Sequence, residues 1–138
     1  MNIFLTGGAG YIGSATAETL VQSGHSVTVY DSLVTGHRGA VPPGARFVQG
    51  DLADQVALRA ALSSEPFDTV MHFAAFAEAG ESMIHPGRYF HNNLALSLGL
   101  IEACVQLDIR RFLLSSSAAV YASSDEPLSE GSPLGPAN

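Results

Sequence analysis

Four glycines and one aspartate carry the most chemical information in this chain: Gly7, Gly8, Gly10 and Gly13 within LTGGAGYIGS, and Asp31 directly after SVTVY. The glycines follow the apolar run Ile3, Phe4, Leu5, which fits a short buried strand. They open residues 11–23, whose spacing predicts a helix with Ile12, Ala15, Thr16, Thr19 and Leu20 on one face and Gly24 as its stop. A backbone that turns sharply and approaches a diphosphate has no room for side chains at Gly7, Gly8 or Gly10, and a glycine at 13 lets helix and strand pack closely. The first-turn N–H groups and the positive end of the helix dipole then hold a pyrophosphate without any Lys or Arg. Asp31 follows Gly13 by 18 residues, close to the roughly 20 expected of an acid that hydrogen-bonds an adenosine ribose. A carboxylate there repels a 2′-phosphate, which favours NAD over NADP, while His37 and Arg38 in the following loop keep the phosphorylated cofactor open. The alternative is a tight β-to-α turn with a loop aspartate.

Positioning these groups takes alternating strands and helices. Residues 26–30 predict a second strand with Asp31 at its carboxyl end, 46–50 a third ending at Asp51, and 68–73 a fourth, apolar enough to be central. Residues 54–62 predict a short helix with Leu58 and Leu62 on one face. A long helix follows over 86–107, opened by Pro86, with Phe90, Leu94, Leu98, Ile101 and Val105 in register, and then a fifth strand over 110–115. Strands separated by helices without hairpin signals imply right-handed crossovers, hence an α/β, doubly wound, Rossmann-type parallel sheet in the order 3-2-1-4-5. Gly7, Asp31, Asp51, Phe73 and Ser115 to Ser117 then fall at the carboxyl ends of the strands and define one cleft.

At 138 residues the chain has the size of one domain. With 46% hydrophobic and 14% charged residues, some apolar surface is expected to be covered by something outside this chain. A formal charge of −7 argues against a nucleic-acid or anionic-membrane surface, both of which need clustered cations. Cys104 is the sole cysteine and reads as a core thiol. No basic leader and no membrane-length apolar run is present, so a cytoplasmic location is expected. The five histidines, His25, His37, His72, His85 and His91, form no metal-like cluster and read as structural or exposed.

With these features in place the chain resembles the extended short-chain dehydrogenase/reductase family from Met1 to Asn138. The resemblance rests on TGGAGYIGS, YDSL around Asp31, GDL at Gly50 to Leu52, HFAA at His72 to Ala75, GES at Gly80 to Ser82, HNN at His91 to Asn93 and SSSAAVY from Ser115. It implies NAD as cofactor, with Gly7, Gly10, Gly13 and the backbone of Tyr11 and Ile12 on the pyrophosphate. Asp31, Ser32, Leu33, Val34, Thr35 and Gly36 would wrap the adenine ribose. Asp51 and Leu52 would border the adenine, with helix capping the alternative for Asp51. Phe73, Ala74, Ala75, Phe76 and Ala77 would line the cofactor. Asn92, a poor helix former within the long helix, matches a cofactor-contacting asparagine; Asn93 reads as helix surface, and Glu81 and Ser82 as loop residues. Ser117 matches the catalytic serine, which hydrogen-bonds the sugar oxygen and adjoins the cofactor; a plain turn is its alternative. Ala119 and Ala122 stand where relatives commonly carry threonine and glycine.

The resemblance runs most closely to nucleotide-sugar 4-epimerases. It implies the NAD-binding portion of an enzyme that interconverts UDP-glucose and UDP-galactose through a transient 4-keto sugar, and a homodimer for the complete enzyme. The alternatives are a nucleotide-sugar dehydratase, decarboxylase or reductase of the same family, or a non-catalytic dinucleotide-binding module; Ala118 and Ala119 lack the acid that dehydratases carry there. The family's proton-transfer pair is a tyrosine followed four residues later by a lysine, and this sequence has no lysine, with Tyr11, Tyr30, Tyr89 and Tyr121 placed elsewhere. The expectation is therefore a partial NAD-binding domain over 1–138, incomplete at its C-terminal side. The substrate domain would lie outside it, strand five would be an edge, and the chain alone would epimerise negligibly.

Overall fold

The computed structural model describes residues 1–136; Ala137 and Asn138 lie outside the described residues. Strands β1 (Asn2–Thr6), β2 (Ser26–Asp31), β3 (Arg46–Gln49), β4 (Thr69–His72) and β5 (Phe112–Leu114) form one parallel sheet in the order β3-β2-β1-β4-β5, as the alternation predicts. The helices are α1 (Tyr11–Gln22), α2 (Gln55–Leu62), α3 (Ala79–Ile84), α4 (Pro86–Tyr89) and α5 (Leu96–Gln106). A π-helical segment, Phe90–Ala95, joins α4 to α5.

The central strand is buried along nearly its whole length, and its alternating side chains divide the core into two layers. Phe4 packs with Leu58, Leu62, Val70 and Leu100 beneath α2 and α5, while Leu5 packs with Ala17, Val27 and Val29 beneath α1. Asp54 starts α2 by accepting hydrogen bonds from Val56 N and Ala57 N, so its carboxylate covers two amides that the helix itself leaves unpaired. Register places Thr6 between Tyr30 and His72, which brings the carboxyl ends of β2, β1 and β4 to one edge.

Three sequence expectations need correction. In α1 the buried residues are Gly13 and Ala17, with Leu20 and Val21 packed beside them, whereas Ile12, Ala15 and Thr19 are exposed. Small residues win that face because the helix crosses close over the turn that precedes it. The stripe Phe90, Leu94, Leu98, Ile101 and Val105 is exposed throughout, from 38% at Ile101 to 73% at Val105. The inward face of α5 is instead Ser97, Leu100, Ala103 and Cys104. Glu81 and Ser82 lie in helix α3 rather than in a loop. Strand β5 is a sheet edge, as expected, and Leu113 and Leu114 are exposed on it.

Candidate functional site

The turn after β1 is built from close backbone approaches. Gly7 has φ +74°, a conformation that L side chains rarely adopt, and a Cβ there would stand 2.5 Å from Ala74 N. Its N–H donates to Tyr30 O at 3.0 Å, so the turn is fixed to its neighbours on both sides. A Cβ at Gly13 would run into Gly7 O, which is why helix and turn can touch. Gly8 differs from expectation: its missing Cβ faces the Leu5 and Val29 side chains, so it makes room for the core and not for a ligand. Helix α1 begins at Gly10 with no side-chain cap and no acidic residue in its first turn. Its N-terminus therefore presents a positive dipole end to whatever occupies the adjoining space.

That space is a cavity of about 310 Å³, walled on one side by Gly7, Gly10, Tyr11, Ile12 and Gly13. Asp31 stands on its second wall, with only 8% of its surface exposed. Oδ2 accepts from Ala9 N at 2.9 Å and Oδ1 from Leu33 N at 2.8 Å. His37 N in turn donates to Ala9 O at 2.9 Å, so the carboxylate ties the loop 31–37 to the glycine turn. A carboxylate offers about four acceptor positions; two are used here, leaving capacity for ligand hydroxyls. Ser32, Val34, Thr35 and Gly36 continue this wall. Leu33 does not: at φ +62° its side chain turns into the core beneath α1. His37 and Arg38 also stay off the lining, and the Arg38 guanidinium sits 4.5 Å over the Phe47 ring.

Asp51 and Leu52 line the far end together with Tyr30 and Gly50, two residues that the sequence reading passed over. Asp51 borders the cavity, and its Oδ1 accepts from Ala53 N at 2.9 Å; that bond closes a turn ahead of α2, whose cap is Asp54 instead. Tyr30 donates its hydroxyl to Asp51 O at 3.1 Å. Burial, reinforced by the Asp54 and Asp51 carboxylates, pushes its phenol up to about 12, so it stays a neutral donor. The signal for both missed residues was adjacency: each precedes a chosen aspartate at a strand's carboxyl end.

Phe73, Ala74, Ala75, Phe76 and Ala77 form the third wall, and Asn92 reaches it from the π-helical segment. Asn93, expected on the helix surface, instead clasps the peptide of Phe76. Phe76 N donates to Asn93 Oδ1 and Asn93 Nδ2 donates to Phe76 O, each at 2.9 Å. Asn92 Nδ2 adds a third bond, to Asn93 Oδ1 at 2.8 Å. Phe76 is further held by the Tyr89 ring at 5.7 Å and the Arg88 guanidinium at 4.5 Å. Glu81 pairs with Arg88 and accepts from the Tyr89 hydroxyl, which braces the same rim. Ser117 does not line the cavity; it is exposed just past β5, and its Oγ accepts from Ala119 N at 3.1 Å. Four of the five strand ends expected in one cleft thus share it, and the segment after β5 lies outside the lining.

His72 and Cys104 are buried away from the lining. Burial lowers the imidazole to about 4 and pushes the thiol up to about 11, so both are neutral and unreactive near neutral pH. Among the described residues no group of three His, Cys, Asp or Glu side chains could hold a metal ion, and no helix is long and apolar enough to cross a membrane.

Comparison with known proteins agrees with this geometry. Residues 3–138 match the NAD dependent epimerase/dehydratase family. The chain is 45% identical over 139 residues to a UDP-glucose 4-epimerase of Lacticaseibacillus casei, covering 100% of this chain and 42% of that protein. It superposes on a crystal structure of a UDP-glucose 4-epimerase with TM-score 0.89 at 42% identity, again over 100% of this chain and 42% of the other. The UDP-glucose 4-epimerase from Brucella ovis in complex with NAD gives TM-score 0.86 at 40% identity, over 98% and 42% of the two chains. The chain therefore spans about 42% of the length of these relatives.

Proposed function

The chain belongs to the NAD dependent epimerase/dehydratase family, and from that premise we propose that it is the NAD-binding portion of a nucleotide-sugar 4-epimerase acting on UDP-glucose and UDP-galactose. The observation that carries the cofactor reading is the meeting, at one cavity, of a glycine turn, an uncapped helix N-terminus and the Asp31 carboxylate. Gly7, Gly10 and Gly13 with the amides of Tyr11 and Ile12 hold the pyrophosphate. Asp31 accepts from the ribose hydroxyls, and the loop from Ser32 to Gly36 closes over them, with Leu33 contributing from the core side. Asp51 and Leu52 border the adenine, while Phe73 to Ala77 and Asn92 border the nicotinamide half.

Bound there, the dinucleotide supplies a reversible two-electron acceptor for the sugar carbon. Ser117 is the residue of this chain that orients the sugar oxygen. Its Oγ already accepts from Ala119 N, which leaves the hydroxyl hydrogen to donate. The exposed stripe from Phe90 to Val105 supports a homodimer of the complete enzyme. Arg38, engaged on Phe47, supports NAD over NADP. Calorimetric titration is expected to give saturable NAD binding with NADP at least about tenfold weaker, the ratio that one mispaired charge of about 1.4 kcal/mol produces. Absence of heat with NAD refutes the reading.

A further inference from the structure

A line of buried side chains runs from the middle of the sheet to the cavity rim. Thr6 Oγ1 lies 2.6 Å from His72 Nδ1, and His72 Nε2 lies 2.7 Å from Ser97 Oγ. Ser97 Oγ donates to Asn93 O at 2.8 Å, and the Asn93 amide clasps the Phe76 peptide through two bonds. Thr6, His72 and Ser97 are all buried.

The proton positions along this line follow from its far end. Asn93 O is a carbonyl and only accepts, so the Ser97 hydroxyl hydrogen is committed to it. The contact between Ser97 and His72 then needs a hydrogen from the ring, which places it on Nε2. Nδ1 is left as an acceptor for the Thr6 hydroxyl. A doubly protonated ring would turn Nδ1 into a donor facing Thr6, and burial opposes that form independently.

The line meets the helix where its winding is abnormal. Phe90–Ala95 is π-helical, a wider turn found mostly as a local insertion that re-aims side chains near functional sites. An α-helix turns about 100° per residue, so relaxing the insertion would rotate Asn92 and Asn93 by about that angle relative to the inward face of Leu100, Ala103 and Cys104. Asn93 could not then clasp Phe76 while α5 kept its packing.

We propose that His72, as the Nε2–H tautomer between Thr6 and Ser97, is a positioning residue that sets the π-helical register and thereby aims Asn92 and Asn93 at the cavity and its Phe73 to Ala77 wall. It touches neither cofactor nor sugar. The proposal rests on the NAD reading for its functional consequence and on the apo protein for its structural one.

The test compares His72→Gln, His72→Asn and Ser97→Ala with the unaltered protein, measuring NAD affinity and hydrogen exchange at Phe76 N. The Gln amide can place an N–H near the Nε2 position and keep the donor to Ser97, whereas the shorter Asn reaches only the Nδ1 position. Loss of one buried hydrogen bond corresponds to about tenfold. The expected result is Phe76 N exchange accelerated at least about tenfold and NAD affinity weakened about tenfold in His72→Asn and Ser97→Ala, with His72→Gln within about threefold on both. Nitrogen NMR of the ring is expected to show Nε2–H.

Ser97→Ala, which removes a single hydroxyl, keeps the test valid if His72→Asn does not fold. Unchanged Phe76 exchange in Ser97→Ala, an Nδ1–H ring, or equal losses in Gln and Asn variants overturns the proposal. If the unaltered protein binds no NAD, the cofactor reading fails, and the exchange and tautomer results still decide this one.

Discussion

Replacing Asp31 by asparagine separates two roles that one carboxylate can play, ligand contact and loop staple. In the structure its two oxygens accept from Ala9 N and Leu33 N at 2.9 and 2.8 Å, in a residue only 8% exposed. Asparagine keeps one acceptor oxygen and turns an NH2 group toward the other amide. The variant therefore loses one charge-assisted hydrogen bond, worth about 1.5–3 kcal/mol, and leaves a buried N–H facing a donor, which costs about 1–3 kcal/mol more. The two costs overlap, since both arise from the same lost bond, so a total near 3 kcal/mol, the lower end of their sum, is expected even without ligand. With a urea slope of about 1.5 kcal/mol per molar, the unfolding midpoint should fall by about 2 M at unchanged slope. NAD affinity should fall as well, because the loop 31–37 and the glycine turn are joined through this group. An apo midpoint within about 0.3 M of the parent, corresponding to about 0.5 kcal/mol, with NAD binding lost would refute the staple and leave the carboxylate as a ligand contact only.

Gly13→Ala, whose Cβ would run into Gly7 O, should cost about 1–3 kcal/mol of overpacking and lower the melting temperature by about 5 °C, read by calorimetry. His72 contributes to acid sensitivity. Its folded value is lowered to about 4 from 6.5, so its contribution is complete above pH 6.5 and is lost as pH falls to 4, by about 3 kcal/mol in all. Urea titrations at several pH values should show this slope, and His72→Gln should remove that component while the carboxylate contribution persists. Leu100→Ala, fully buried, should cost about 2–5 kcal/mol, while Leu98→Ala, half exposed two positions earlier, should stay within about 0.5 kcal/mol; equal losses in chemical denaturation would contradict the assigned face.

The sheet was legible because each of its strands is a short apolar run and each connection is long enough to cross over, which leaves few topologies. The cavity was legible for the same reason, since a ligand site in such a sheet must form where the strands end. What escaped were effects one residue wide. Tyr30 and Gly50 adjoin Asp31 and Asp51, and the sequence emphasises the acid over the neighbour that seats it. Leu33 sits in a segment that wraps the site, yet a left-handed φ reverses its side chain into the core. Asn92 and Asn93 could not be told apart by helical spacing, because a π-helical turn changes that spacing where they stand.

The helices show a more general limit of periodicity. In α5 the large apolar residues in register face outward while Ser97, Leu100, Ala103 and Cys104 cover the sheet, and in α1 Gly13 and Ala17 lie innermost with Leu20 and Val21 packed beside them. A hydrophobic stripe identifies residues that gain from leaving water, but how near two elements can approach depends on the smallest residues between them. Gly13 against the backbone of the glycine turn is such a contact, with no space for a Cβ, whereas a Cβ at Gly99 would meet only the end of the Gln55 side chain, which can move aside. Once Ser97, Leu100, Ala103 and Cys104 take the inner face, Phe90, Leu94, Leu98, Ile101 and Val105 point outward together. The same packing that seats Asn92 at the cavity and Ser97 against His72 therefore leaves the apolar stripe exposed on the helix's other side.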